Sequence, residues 1–106
     1  MEGEMDATQK ARPEDQDSKA VHVTIHNEDD GETYRLASKR RDSLGDVIAE
    51  LYEKKVRKPR QPDDRLRCDS GGEDVFQFEA LTFDDYLRQG HCPELVWLFV
   101  AGTGGA

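Results

Sequence analysis

The sequence has few cysteines and no long hydrophobic run, and each shortage excludes a class of protein. Its two cysteines, Cys68 and Cys92, have neither the CxxC spacing nor the nearby histidine pair of a zinc site. Disulfide-stapled secreted folds contain more cysteines, so we expect two reduced thiols in a cytoplasmic protein. The longest apolar run, residues 95–101, is too short to cross a bilayer, and no signal peptide is visible. We therefore expect no membrane partner.

An excess of positive charge is also missing. Fifteen Lys and Arg residues stand against 23 Asp and Glu residues, a formal net charge of -8, so nucleic acid is not expected as a partner. His22 and His26 fall on one face of a predicted strand, but no carboxylate or cysteine at ligand spacing completes a metal site. No Ser/His/Asp or Cys/His constellation is visible either. We expect neither enzyme activity nor a cofactor.

With 106 residues, the chain has room for one domain with one small core. Residues 1–19 are rich in carboxylates and contain almost nothing apolar. Such a segment cannot bury enough surface to offset the entropy of ordering it, so we expect a disordered acidic tail.

From Ala20 onward, periodic patterns predict regular structure. Apolar residues alternate with polar ones over residues 21–26, which predicts a strand. Residues 27–31 supply turn chemistry, and residues 33–37 are predicted as the returning strand of a hairpin. Ser43 is a good N-cap, and the apolar spacing that follows it predicts a helix through about Lys55.

The second half of the chain is predicted to alternate short elements with loops. Pro59 and Pro62 indicate an extended loop after the helix. Residues 65–68 and residues 74–80 are both predicted as short strands, and residues 81–87 as a single helical turn. The last strand is predicted over residues 95–100, the most strand-prone run of the chain.

This order of elements resembles the β-grasp of ubiquitin and its relatives. Three local matches carry the resemblance: Ser43-Leu44-Gly45-Asp46-Val47, Asp63-Asp64-Arg65-Leu66 and Leu81-Thr82-Phe83-Asp84-Asp85-Tyr86. It implies an α+β fold, a ubiquitin-like β-grasp with a mixed sheet packed on one helix. The domain would cover residues 20–101, followed by a flexible diglycine tail at residues 102–106.

In such a family Gly104 and Gly105 would be the conjugation site. The resemblance implies a protein modifier: Ala106 is removed, and the Gly105 carboxylate is adenylated and joined to a target lysine through an isopeptide bond. Its partners would be an E1-like activating enzyme, an E2-like transfer enzyme, a processing or deconjugating peptidase and the target proteins. Because the diglycine lacks flanking arginines, the match suggests a bacterial conjugation pathway.

Two other functions fit the same features. A sulfur carrier of the molybdopterin and thiamin type would form a thiocarboxylate on Gly105. A non-conjugated ubiquitin-like binding subunit would use its surface alone, without chemistry at the diglycine.

A partner-binding face is expected on the last strand. Alternation predicts that one set faces the helix: Val96, Leu98 and Val100. Trp97 and Phe99 would then be exposed beside Arg67, where, by resemblance, ubiquitin carries its recognition patch. Exposed aromatic residues beside arginine are enriched at binding hot spots.

Overall fold

The chain folds as an α+β unit around one mixed sheet. The structure is a computed structural model and describes residues 19–102; the rest of the predicted acidic tail and Gly104, Gly105 and Ala106 lie outside the described residues. Its four strands are β1 (Ala20–Asn27), β2 (Thr33–Lys39), β3 (Arg65–Cys68) and β4 (Val96–Val100). The sheet order is β2-β1-β4-β3, with β1 and β4 parallel and the other two pairs antiparallel.

The hairpin of β1 and β2 confirms the sequence prediction. Val21, Val23 and Ile25 are buried on one face of β1, as the alternation indicated. In the turn, the Asp29 N–H donates to Asn27 Oδ1 at 2.9 Å, and Gly31 adopts a φ of 77°. Only glycine takes that φ without steric cost, so this residue closes the hairpin.

The main helical segment begins and ends close to its predicted bounds, but it changes type on the way. Helix α1 covers Leu44–Glu50, and the Ser43 N–H donates to the Asp46 carboxylate at 3.3 Å. The helical segment continues to Val56, which confirms the predicted helix through about Lys55, but its second part, Leu51–Val56, is π-helical. It closes where the Arg57 N–H bonds to the Tyr52 carbonyl at 2.8 Å, five residues back.

The segment after β3 is not a strand. Asp74 makes a single bridge to Arg67, and a 3-10 helix then covers Phe76–Phe78. The Asp74 carboxylate accepts the Phe76 N–H at 3.1 Å, which turns the chain and buries Val75. The predicted strand over residues 74–80 is therefore wrong.

Helix α2 (Phe83–Arg88) confirms the predicted helical turn. The Thr82 hydroxyl accepts the Asp85 N–H at 3.1 Å, which caps the N-terminus. Phe83 and Tyr86 are buried, so α2 packs against the same core as α1. None of the helices in residues 19–102 is long and apolar enough to span a membrane.

The two cysteines are bonded to each other, so the expectation of two reduced thiols is wrong. Cys68 ends β3 and Cys92 lies four residues before β4; because these strands pair, the Cα atoms are 5.8 Å apart. Both residues are buried. Disulfides persist in oxidising surroundings, so this bond gives no support to the cytoplasmic expectation that was based on free thiols.

Candidate tail exit and partner face

The tail leaves the sheet from its centre, since β4 lies between β1 and β3. The Ala101 N–H donates to the Asp29 carboxylate at 2.6 Å, and the Gly102 N–H donates to Asp64 Oδ1 at 2.6 Å. We call these four residues the tail exit. Gly102, the first residue of the expected flexible tail, is thus hydrogen-bonded to Asp64 in the structure.

Asp64 connects three separate segments at the tail exit. Its Oδ2 accepts the Tyr52 hydroxyl at 2.6 Å and the Gln61 N–H at 2.9 Å, while its Oδ1 accepts the Gly102 N–H. The residue is only 8% exposed. It thereby ties the π-helical turn, the loop that follows it and the start of the tail to one another.

The electrostatics of this site favour a charged Asp64. Burial alone would raise the pKa of Asp64, but hydrogen bonds from Gln61, Tyr52 and Gly102 and the nearby Arg60 guanidinium outweigh it and place that pKa below its ordinary value. Burial and the hydrogen bond to this carboxylate raise the pKa of Tyr52. The hydroxyl therefore remains a donor at neutral pH.

Gly102 passes close to the loop, and its lack of a side chain permits this. A Cβ added at Gly102 would collide with the side chain of Asp63. Any other residue would require the exposed side chain of Asp63 to move aside. The sequence placed Gly102 in the diglycine tail but gave no sign of the loop against which it lies.

Replacing Asp64 by Asn should loosen the tail exit. An amide group supplies only one oxygen, so at least one of the three donors loses its acceptor, and we expect the free energy of unfolding at pH 7 to fall by about 1–3 kcal/mol. Asp69→Asn, which changes an exposed carboxylate, is the matched control and should change little. Urea unfolding of both variants measures the difference.

The stability lost in Asp64→Asn should depend on pH. Because the pKa of Asp64 is lowered in the fold, its charge stabilises the protein above the unfolded-state pKa of about 4. That contribution is lost as the pH falls through the lower, folded-state pKa. The gap between wild type and Asp64→Asn should therefore shrink in acid, and a gap that widens below pH 4 would contradict it.

The partner face predicted on β4 is reversed. Trp97 is 0% exposed and Phe99 is 1% exposed, whereas the alternate residues Val96, Leu98 and Val100 are half-buried. The Trp97 ring stacks on Phe83, with centroids 6.3 Å apart, and Phe99 meets Tyr52 edge-on at 5.7 Å. The expectation that Trp97 and Phe99 are exposed is wrong.

Strand register explains the reversal. Trp97 pairs with Ile25 and with Cys68, both of them core residues, so all three side chains point to the helices. Both alternate sets on β4 are apolar, so the sequence alone could not choose between them. The larger aromatic rings bury more area and occupy the core.

The opposite side of the sheet is the surface that β4 presents. Leu98 lies at its centre, with His26 beside it on β1 and the exposed Arg67 beside it on β3. We call this side, formed by the outward residues of the four strands, the open face. Arg67 is exposed as predicted, but its apolar neighbours are aliphatic rather than aromatic.

His22 and His26, the histidines considered as metal ligands, both lie on the open face. His26 Nδ1 lies 2.9 Å from the Thr33 hydroxyl. Within residues 19–102 there is no cluster of three or more His, Cys, Asp or Glu residues placed to hold a metal ion. His22 and His26 thus have no third ligand in this part of the chain.

A comparison with protein-family models finds no match to the chain, and a search of curated proteins finds no significant match. The tail exit and the open face are therefore the two features from which a function is inferred.

Proposed function

We propose that this chain is a ubiquitin-like β-grasp protein modifier that is joined to target lysines through Gly105. The observation that supports it most is the placement of β4. This strand lies parallel to β1 at the centre of the sheet and leads directly into the tail, with Gly105 three residues beyond Gly102. The sheet order and the single main helix are compatible with a β-grasp.

The proposed chemistry needs a free carboxylate on a C-terminal glycine. The Gly105 carboxylate attacks the α-phosphorus of ATP and displaces pyrophosphate; an enzyme thiolate then displaces AMP, and a lysine amine displaces the thiol. The residues that follow Gly105, beginning with Ala106, must be cleaved first, because adenylation needs a free carboxylate. Glycine has no Cβ, so its backbone fits a narrow enzyme channel. The modifier is the substrate here and acts as no enzyme.

The tail exit limits how far Gly105 reaches. If Gly102 stays bound to Asp64, the free lead is three residues, or about 10 Å when extended. Anchoring one end of so short a lead reduces the conformational entropy lost when the tail enters a channel. A residue bulkier than glycine at position 102 would have to displace the side chain of Asp63 from the start of this lead.

Activation provides the test of this function. The chain ending at Gly105, incubated with its activating enzyme and ATP, should release pyrophosphate and form a thioester that added thiol destroys. The chain that retains Ala106 should do neither, and Gly105→Val should fold normally but fail to react. Equal activation of the form with Ala106 and the trimmed form would refute the processing step.

The open face is the proposed contact for the activating and transfer enzymes. Arg67 remains in that role. The apolar part of the contact is now assigned to Val96 and Leu98, two of the half-buried outward residues of β4, instead of Trp97 and Phe99. A partner that fits would present an apolar centre with acidic groups around it.

Leu98→Ala should weaken binding to the activating enzyme while the fold persists. If Leu98 is a hot spot, binding should lose about 2 kcal/mol, close to 30-fold in Kd. His22→Ala, an exposed change on the same face but away from β4, is the control and should bind normally. Calorimetric titration gives Kd; similar Kd values for both variants would exclude this part of the face.

A further inference from the structure

We propose that the acidic segment of residues 1–18 docks on the open face of the sheet and covers it in the free protein. This inference concerns the chain alone and does not depend on any chemistry at Gly105. It is based on a separation of charge within the fold and on the point at which the segment joins the sheet.

The open face is basic in an acidic protein. No Asp or Glu occupies an outward position on any of the four described strands, although the chain has a formal net charge of -8. The face carries four exposed cations: Arg35, Lys39, Arg65 and Arg67. None of them forms an ion pair with another described residue. All four side chains are therefore without an ion-pair partner within residues 19–102.

The N-terminal segment has the complementary charge. It contains six carboxylates and two cations, a formal charge of -4. The carboxylates fall into two groups: Glu2, Glu4 and Asp6, then Glu14, Asp15 and Asp17. Opposite charges arranged in this way favour encounter and docking.

The join between segment and sheet places these groups within reach. The Lys19 carbonyl accepts the Arg40 N–H at 3.0 Å, and Ala20 pairs with Lys39. The segment therefore joins the N-terminal end of β1, beside Lys39. Residues 14–17 lie within roughly 17 Å of chain from this point, close enough for Arg35 and Lys39.

The carboxylates of residues 2–6 can reach the end of the open face that lies farthest from Ala20. Because β4 runs parallel to β1, Arg67 and Arg65 lie beside Leu98 and Val100, away from the Ala20 end. Residues 2–6 are separated from Lys19 by more than about 40 Å of extended chain. That length suffices to fold back along the face and reach both arginines.

A second basic stretch, residues 54–60, is the competing site. It includes Arg60, which is already paired with Glu79 at 2.7 Å, and it follows directly on Glu53. On the open face Asp74 bridges Arg67, but no cation forms an ion pair with a described residue, and the face adds the apolar side chains of Val96 and Leu98. It is therefore the better site for an acidic segment.

Each ion pair between the segment and the open face contributes little binding energy, but several pairs acting together hold the segment in place. Exposed ion pairs are screened over about 10 Å at 0.1 M salt, but covalent linkage holds the segment at an effective concentration on the order of millimolar. An outside partner for the open face must displace the segment first. The segment thus raises the apparent Kd of every such partner and makes it dependent on salt.

The test uses the full chain, labelled with ¹⁵N and carrying a nitroxide on the α-amine of Met1. At low salt we expect the amide signals of Arg67 and Leu98 to lose more than half of their intensity, and to regain it at high salt. The double substitution Arg65→Glu, Arg67→Glu should abolish this loss of signal intensity. Lys54→Glu with Lys55→Glu, the matched control, should preserve it.

A second variant, with substitutions only in the segment, tests the docking without altering the folded domain. Glu2→Gln, Glu4→Gln and Asp6→Asn alter only the segment and should also abolish the intensity loss. Broadening confined to residues 54–60, or broadening that survives both sets of substitutions, would overturn the proposal. So would broadening that appears only when labelled and unlabelled chains are mixed, because the contact would then join two copies.

Discussion

Replacing Trp97 by alanine should lower the free energy of unfolding by about 3–5 kcal/mol. Trp97 is fully buried between the sheet and α2, stacked on Phe83 and edge-on to Tyr86, with ring centroids 6.3 and 6.2 Å apart. Its removal takes away the largest side chain of the core and leaves a cavity that its neighbours cannot fill. Urea unfolding followed by circular dichroism measures the loss without relying on tryptophan fluorescence.

Leu98→Ala is the matched control for this prediction. Leu98 is the next residue of the same strand but faces outward and is half-buried, so its loss should cost about 1 kcal/mol or less. Equal losses for the two variants, or a larger loss for Leu98→Ala, would contradict the side-chain orientation of β4.

Breaking the Cys68–Cys92 disulfide should cost about 3 kcal/mol, because the bond closes a 24-residue loop that the reduced unfolded chain is free to open. The bond joins the end of β3 to the segment that leads into β4, and both cysteines are buried. We expect reductant to lower the Tm of the wild type clearly. The double variant Cys68→Ala, Cys92→Ala should show a similarly reduced Tm.

Reductant supplies the control for the same experiment. Added to the double variant, it should change nothing, because no disulfide remains. If reductant leaves the wild-type Tm unchanged and thiol titration finds two free cysteines beforehand, the bond is absent from the purified protein. In that case the original expectation of reduced thiols would be restored.

Local polar signals made part of the fold predictable. Ser43 and Thr82 each precede a helix with an aspartate three residues later, and Gly31 follows a run of turn residues. These features act within a few residues, so the sequence shows them directly. The hairpin and both helix starts were predicted for this reason.

Features that depend on distant pairing were not predictable. The orientation of β4 follows from the register of Trp97 with Ile25, 72 residues earlier in the chain. The disulfide likewise depends on β3 pairing with β4. The anchoring of Gly102 depends on Asp64, a residue 38 positions away whose motif marked only the start of a strand. At the candidate site, Arg67 was recognised as exposed, but its apolar neighbours were assigned to the wrong face.

The most direct test is mass spectrometry of a target protein after reaction with the trimmed chain, its activating and transfer enzymes and ATP. Reduction and tryptic digestion should yield a target lysine that carries residues 89–105 of this chain, since Arg88 is the last Lys or Arg before Gly105. That remnant, ending in an isopeptide bond from Gly105, is the result the account predicts. A chain that instead acquires a terminal thiocarboxylate would identify a sulfur carrier. Unmodified lysines together with an unreacted Gly105 would contradict the conjugation function altogether.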